Sequence, residues 1–213
     1  MTEPIKPAET SRARDGMNAA AHISGYDYGG RAAAHSPLTL DELRALERTV
    51  GWTAEDASAI LLAGTVLRDQ AEAMVDSWRA QIAAQPHLAK WFLGPDGAPD
   101  DHYKAAVKKR FVQWVTDVCT RPRDQAWLDY QEEIGLRHTP AKKNQTDDGH
   151  TPTLVPLLYL LAFTAPVILS AKDFLAAKGH DPRTVERMSA AWTKNVLLEI
   201  ALWTRPYTRA DWW

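Results

Sequence analysis

Between Thr153 and Ala171 the chain reads TLVPLLYLLAFTAPVILSA, a run without one charged residue. It is just long enough to cross a bilayer as a helix, so it must either span a membrane or be covered by protein. Pro156 and Pro166 interrupt it, and aromatic or basic anchors do not bracket both ends. A lone span would also leave the rest of the chain an odd globular remnant. The reading adopted is a buried helix that serves a core, a bound group and a subunit contact, with no membrane partner.

Helical periodicity accounts for most of the remainder. Thr39, in Ser36-Pro37-Leu38-Thr39, is a good N-cap, and Glu42 three residues later completes a capping box. Leu40, Leu43, Leu46 and Val50 keep helical spacing up to Gly51. A second start falls at Thr53, with Glu55 and Asp56 in the first turn. The apolar pattern from Ile60 to Ile82 then runs to Pro86 as two helices, with the break expected near Gly64. Residues 86–93 make a short turn-like helix, and GPDGAPD is a loop. Tyr103, Val107, Phe111, Trp114 and Val118 mark the next amphipathic helix, and a short one carries Trp127 to Leu136. The last runs from about Pro182 to Thr204 and stops before Pro206. Nothing alternates with period two for long, and no Asn-Gly hairpin or repeat occurs. The chain reads as all-α, with eight or so helices.

At 213 residues the chain fits one domain with a substantial core. A formal charge of -2 gives no reason to expect a nucleic-acid partner. Cys119 is the single cysteine, which excludes an internal disulfide and a cysteine-rich metal site, so a cytoplasmic setting is expected. The first residues lack the apolar centre of an export signal. Residues 1–22 read as a disordered extension, whereas ISGYDYGG at 23–30 reads as an ordered loop that lays aromatics on a surface. No GxSxG, P-loop, GxGxxG or HExxH pattern is present, so a hydrolase or nucleotide enzyme has no support.

Chemistry concentrates in DYQEEIGLRHTPAKKNQTDDG, residues 129–149. His138 follows Ile134 and Leu136 at the end of a short helix, just before Pro140 and a polar, helix-averse tract. One imidazole without a second ligand nearby suits a haem iron, which needs one strong axial donor from the protein. Zinc would want three or four. From the residues alone, a capping or surface role for His138 stands level with metal ligation. The other six histidines have polar neighbours and read as surface residues. Nine tryptophans imply heavy apolar contacts between helices or a broad flat ligand. Lys108-Lys109-Arg110 precedes Phe111; two of the three are read as solvated, and one as meeting an anionic group of a cofactor beside Phe111, as a haem propionate would require.

With these motifs in hand, the sequence resembles the protoglobins, single-domain haem proteins related to the sensor domains of globin-coupled sensors. The resemblance is carried by ISGYDYG at 23–29, SPLT at 36–39, LRDQAEAMVDSW at 67–78, RFVQW at 110–114, WLDYQEEIGLRHTPAKKNQTDDG at 127–149, VPLLYLLAF at 155–163 and KNVLLEIALWTRPYT at 194–208. It implies a globin fold with an additional N-terminal helix, a haem-binding domain over residues 23–213, and haem b as cofactor. It makes His138 the proximal iron ligand and Trp78 and Phe111 the distal aromatics. Val107, Phe163 and Val167 wall the pocket, and Arg110 meets a propionate. It also implies a homodimer through the long apolar helix and the final one.

In one place the sequence departs from the family. The residue after the distal tryptophan is usually tyrosine, and here it is Arg79. Its guanidinium can donate to a bound ligand, hold a water or anion over the iron, or turn to solvent. Gln81 is a second polar candidate. The leading expectation is a haem protein that binds dioxygen, carbon monoxide or nitric oxide, for sensing, scavenging or detoxification. The alternative is a haem enzyme with peroxidase-like or nitric oxide dioxygenase activity, or a capacity for carbene transfer, assisted by Arg79. A third reading keeps the helical fold as a haem-free module for a protein partner.

Overall fold

Thr39 and Thr53 each start a helix by the same device. The hydroxyl of Thr39 accepts from the Glu42 amide while the Glu42 carboxylate accepts from the Thr39 amide, and Thr53 pairs with Asp56 in the same way. These caps open α1 (Leu40–Thr49) and α2 (Ala54–Leu67) in a computed structural model that describes residues 23–209. The expected disordered extension, 1–22, lies outside the described residues.

The order continues with α3 (Ala71–Ala83), the single turn α4 (Pro86–Ala89) running into a 3-10 turn at Lys90–Phe92, then α5 (Asp101–Thr120) and α6 (Gln125–Leu136). A polar loop then leads to α7 (Leu157–Ala176), α8 (Pro182–Thr204) and a 3-10 turn at Arg205–Tyr207. The described residues contain no strand, only an isolated bridge between Leu93 and Pro99 that closes the 93–99 loop. The all-α reading holds.

The break in the second apolar segment does not fall at Gly64. It falls after Leu67, at Arg68–Gln70. Gly64 sits inside α2, where an added Cβ would lie 2.8 Å from the Cys119 Cβ of α5. The glycine permits a close helix crossing, and the helix absorbs its roughly 1 kcal/mol propensity cost through that packing.

Helix α8 is the axis of the molecule. It packs against α7, α2, α6 and α5, while α3 lies on α5. The main core runs along α2, α3, α5, α7 and α8, through Leu67, Met74, Trp78, Ala171, Met188 and Trp192. A second core holds Leu43 of α1 against Trp127, Leu128, Leu198 and Leu202. Full burial of Leu43 contributes about 1.5–3 kcal/mol, which is how the extra N-terminal helix is fixed.

The apolar run departs from its expected burial. Helix α7 begins at Leu157 behind Pro156 and continues through Pro166. Val167, Ala171 and Leu175 are buried, but Leu158, Leu161 and Leu169 are exposed, the last at 73%. By length and composition α7 is the one described helix that could cross a membrane. One face serves the core, and the other is uncovered by this chain.

Candidate functional site

Helix α6 ends at Leu136, and the chain leaves it through Arg137 and His138. Gly135 sets how closely α6 approaches the end of α8. An added Cβ there would stand 3.1 Å from both the Trp203 Cα and the Pro206 Cγ. That approach stacks the His138 ring on Trp203, with centroids 6.0 Å apart and planes 18° from parallel. The backbone is held as well. The Val155 amide donates to the His138 carbonyl at 2.9 Å. The Tyr207 hydroxyl reaches the His138 and Val155 carbonyls at 3.1 and 2.7 Å.

The imidazole has a defined tautomer. Nδ1 lies 2.8 Å from the Ile134 carbonyl, which can only accept, so Nδ1 carries the proton. Nε2 has no hydrogen-bond partner among the described residues and keeps its lone pair. Burial, with the charges of Lys143 and Arg137, holds His138 below the ordinary imidazole range, outweighing the Ile134 bond. The ring lines an apolar-walled cavity of about 280 Å³.

Of the nine residues named from the sequence, seven come to this cavity: Arg79, Val107, Arg110, Phe111, His138, Phe163 and Val167. Val107, Arg110, Phe111 and Trp114 are three, four and seven positions apart, so one face of α5 presents them. Phe163 and Val167 do the same for α7. Trp78 does not line the cavity. It is buried behind Phe111, ring centroids 5.1 Å apart, with its Nε1–H given to Ser170 Oγ at 2.7 Å. Gln81 is exposed on α3 and lies away from the cavity. Within the basic run, Lys108 and Arg110 take different partners, and both are carboxylates of the protein itself. Lys108 pairs outward with Glu72 and Asp76, while Arg110 donates to both carboxylate oxygens of Asp147, at 2.8 and 2.5 Å, and to the Ser24 carbonyl.

Arg79 is held by little. Its guanidinium is 3.6 Å from Asp76 and 3.4 Å from the Lys104 carbonyl, both long contacts at the cavity edge.

Three features escaped the sequence reading. Glu133 accepts from Arg137, Lys142 and the Ala34 amide at 2.9, 2.6 and 2.8 Å. Burial raises its carboxyl, but those donors outweigh it and hold the group below the usual carboxylate range. Together with Arg137, which donates to Gly25 and Asp27, it ties the 23–34 segment beside the cavity. Glu199, inside α8, accepts from the cavity-lining Trp114 at 2.6 Å and from Asn195 at 2.8 Å. Burial pushes its carboxyl up to about 8. Its signal was a lone carboxylate within NVLLEIALW. Lys143, only 4% exposed, lines the cavity and had no such signal to set it apart from its neighbour Lys142.

Helices wrapped around an apolar-walled cavity with one imidazole on its lining form a globin-like arrangement. A family model for protoglobins matches residues 39–213, and the chain belongs to the protoglobin family. Membership implies a haem cofactor and the binding of small gaseous ligands. Among solved structures, the globin domain of the Geobacter sulfurreducens globin-coupled sensor aligns with a TM-score of 0.62. The alignment covers 81% of this chain and 99% of that one at 14% identity, a likeness of fold. No curated protein matches the chain. The residues present fit haem. They offer one imidazole lone pair, aromatic walls, and cationic side chains on the cavity lining. Among the described residues, no group of three His, Cys, Asp or Glu side chains could hold a metal ion without such a macrocycle.

Proposed function

We propose that this chain is a haem b protein that binds dioxygen, carbon monoxide or nitric oxide at an iron held by His138, to sense, scavenge or detoxify the gas. The observation that carries the reading is the imidazole itself. Its Nδ1–H is committed to Ile134, and its Nε2 lone pair is free on an apolar-walled cavity. Haem would supply an iron that His138 would hold and that could take up the gas. Burial keeps His138 neutral, the form that donates a lone pair. The bond to Ile134 orients the ring and raises its basicity. Phe111, Phe163, Val107 and Val167 give the cavity apolar walls. Arg110 stands ready for a propionate by sharing its donors between that group and Asp147.

No observation favours the arginine-assisted enzyme. Arg79 leans on Asp76 and Lys104. A homodimer through α7 and α8 is supported by the exposed leucines Leu158, Leu161, Leu169 and Leu197, which a second copy would cover. That pairing also answers the charge-free stretch without a membrane. The single cysteine suits a reducing cytoplasm.

The test is His138→Ala. Stoichiometric haem uptake, followed by the Soret band of the purified protein, is expected to be lost. Unchanged uptake and an unchanged spectrum would reject the assignment.

A further inference from the structure

Lys143 presents a charge problem. Its ammonium is buried, and the oxygens within reach are Thr151 Oγ1 at 2.6 Å, Tyr103 Oη at 3.1 Å and the Trp91 carbonyl at 3.3 Å. Each is neutral. No carboxylate pairs with it, although nearby Arg110, Arg137 and Lys142 all have one. The Tyr103 ring centroid lies 4.6 Å from the ammonium and Asp100 acts on it only from a distance, so this buried cation is solvated but only partly compensated. Burial accordingly lowers its pKa to about 8.

Two more donors belong to the same wall. Trp91 lines the cavity, and its indole Nε1–H is buried with no hydrogen-bond partner. Tyr103 also lines it. Its hydroxyl accepts from Lys143, and its own proton has no acceptor among the described residues. Burial raises Tyr103 to about 12, so that proton stays on. An unpaired cation and two donors without acceptors thus belong to residues that Lys143 itself links.

We propose that Lys143, with Trp91 and Tyr103, forms a carboxylate-binding site in the cavity wall, distinct from the Arg110–Asp147 pair. The incoming oxygen takes the ammonium proton now given to the Trp91 carbonyl, the longest of the three bonds. The carboxylate is either one carried on the cofactor's rim or a free small organic acid. In its first form the inference rests on the haem reading above.

The test uses metal-free protoporphyrin IX and its dimethyl ester, titrated by fluorescence into the full chain, with acetate in a separate thermal-shift arm. The iron is absent, so the result does not depend on iron ligation by His138. If the carboxylate is the cofactor's, the wild type binds the acid at least about tenfold more tightly than the ester, one lost ion pair being worth roughly that factor. Lys143→Met then cuts that ratio severalfold. If it is a free acid, millimolar acetate raises the Tm of the wild type and not of Lys143→Met. Trp91→Phe removes the indole donor, spares the lysine, and should move the same readout less far. An acid-to-ester ratio unchanged in both variants, with no acetate effect, overturns the proposal. Equal losses of acid and ester binding overturn it too, because they mark a structural role.

Discussion

His138 and Arg79 stand on the same cavity, yet they are held very differently. His138 is fixed at its ring by Ile134 and Trp203, and at its backbone by Val155 and Tyr207. Arg79 has a 3.6 Å ion pair to Asp76 and a 3.4 Å bond to Lys104. Long-range contacts make the first side, joining α6, the loop before α7 and the end of α8. The second rests on one helix neighbour and one backbone carbonyl. On the proposed haem reading the aim of the imidazole matters, because a metal ligand is oriented by the groups that hold it. A polar residue at the cavity edge can change without disturbing that aim. The comparison therefore separates a part of the site that the fold determines from a part that evolution can adjust.

The largest effect should come from Gly135→Val. Branched side-chain atoms would press on Trp203 and Pro206, which already stand 3.1 Å from an added Cβ. A loss of about 2–4 kcal/mol is expected, a fall in Tm of roughly 5–15 °C, with haem uptake impaired. Circular dichroism on heating checks it, and an unchanged Tm would break the claim that the His138 side is rigid.

Next comes Glu199, behind Trp114 and facing Asn195, Arg123 and Asp117. Its carboxyl is near 8 in the fold against an ordinary 4.5. Between those values the folded chain holds a proton that the unfolded chain has released, so stability falls as pH rises through that window. Glu199→Gln should flatten the decline, gaining on the order of 1 kcal/mol at pH 8 relative to wild type, about 2–4 °C. Parallel Tm-against-pH curves for the two proteins would show that Glu199 is not the source.

The smallest effect belongs to Arg79→Ala. Its contacts are long and its side chain is partly solvated, so stability should move by no more than about 0.5 kcal/mol and haem uptake should hold. A drop as large as that of Gly135→Val would erase the difference between the two sides.

Local rules made much of this legible from residues alone. The Thr39–Glu42 capping box, the helix start at Thr53, the stop before Pro206 and the α5 face from Val107 to Trp114 depend on neighbours within a few positions. Gly64 misled because propensity marks it as a break, whereas Cys119, remote in sequence, makes it a crossing point. Trp78 was expected on the cavity, but Ser170 draws its indole N–H the other way. Lys142 and Lys143 are adjacent and chemically identical. Only the fold decides that one pairs with Glu133 while the other is buried against Tyr103 and Thr151.

The clamp on His138 also has a timetable. Tyr207 joins the histidine carbonyl from 69 positions further along the chain, and Trp203, its stacking partner, arrives almost as late. At roughly 5–20 residues per second of synthesis, about 3 to 14 s separate the emergence of His138 from that of Tyr207. A nascent chain therefore exposes its imidazole for seconds before the wall behind it exists. Productive cofactor loading belongs after that interval, when the last helix has closed.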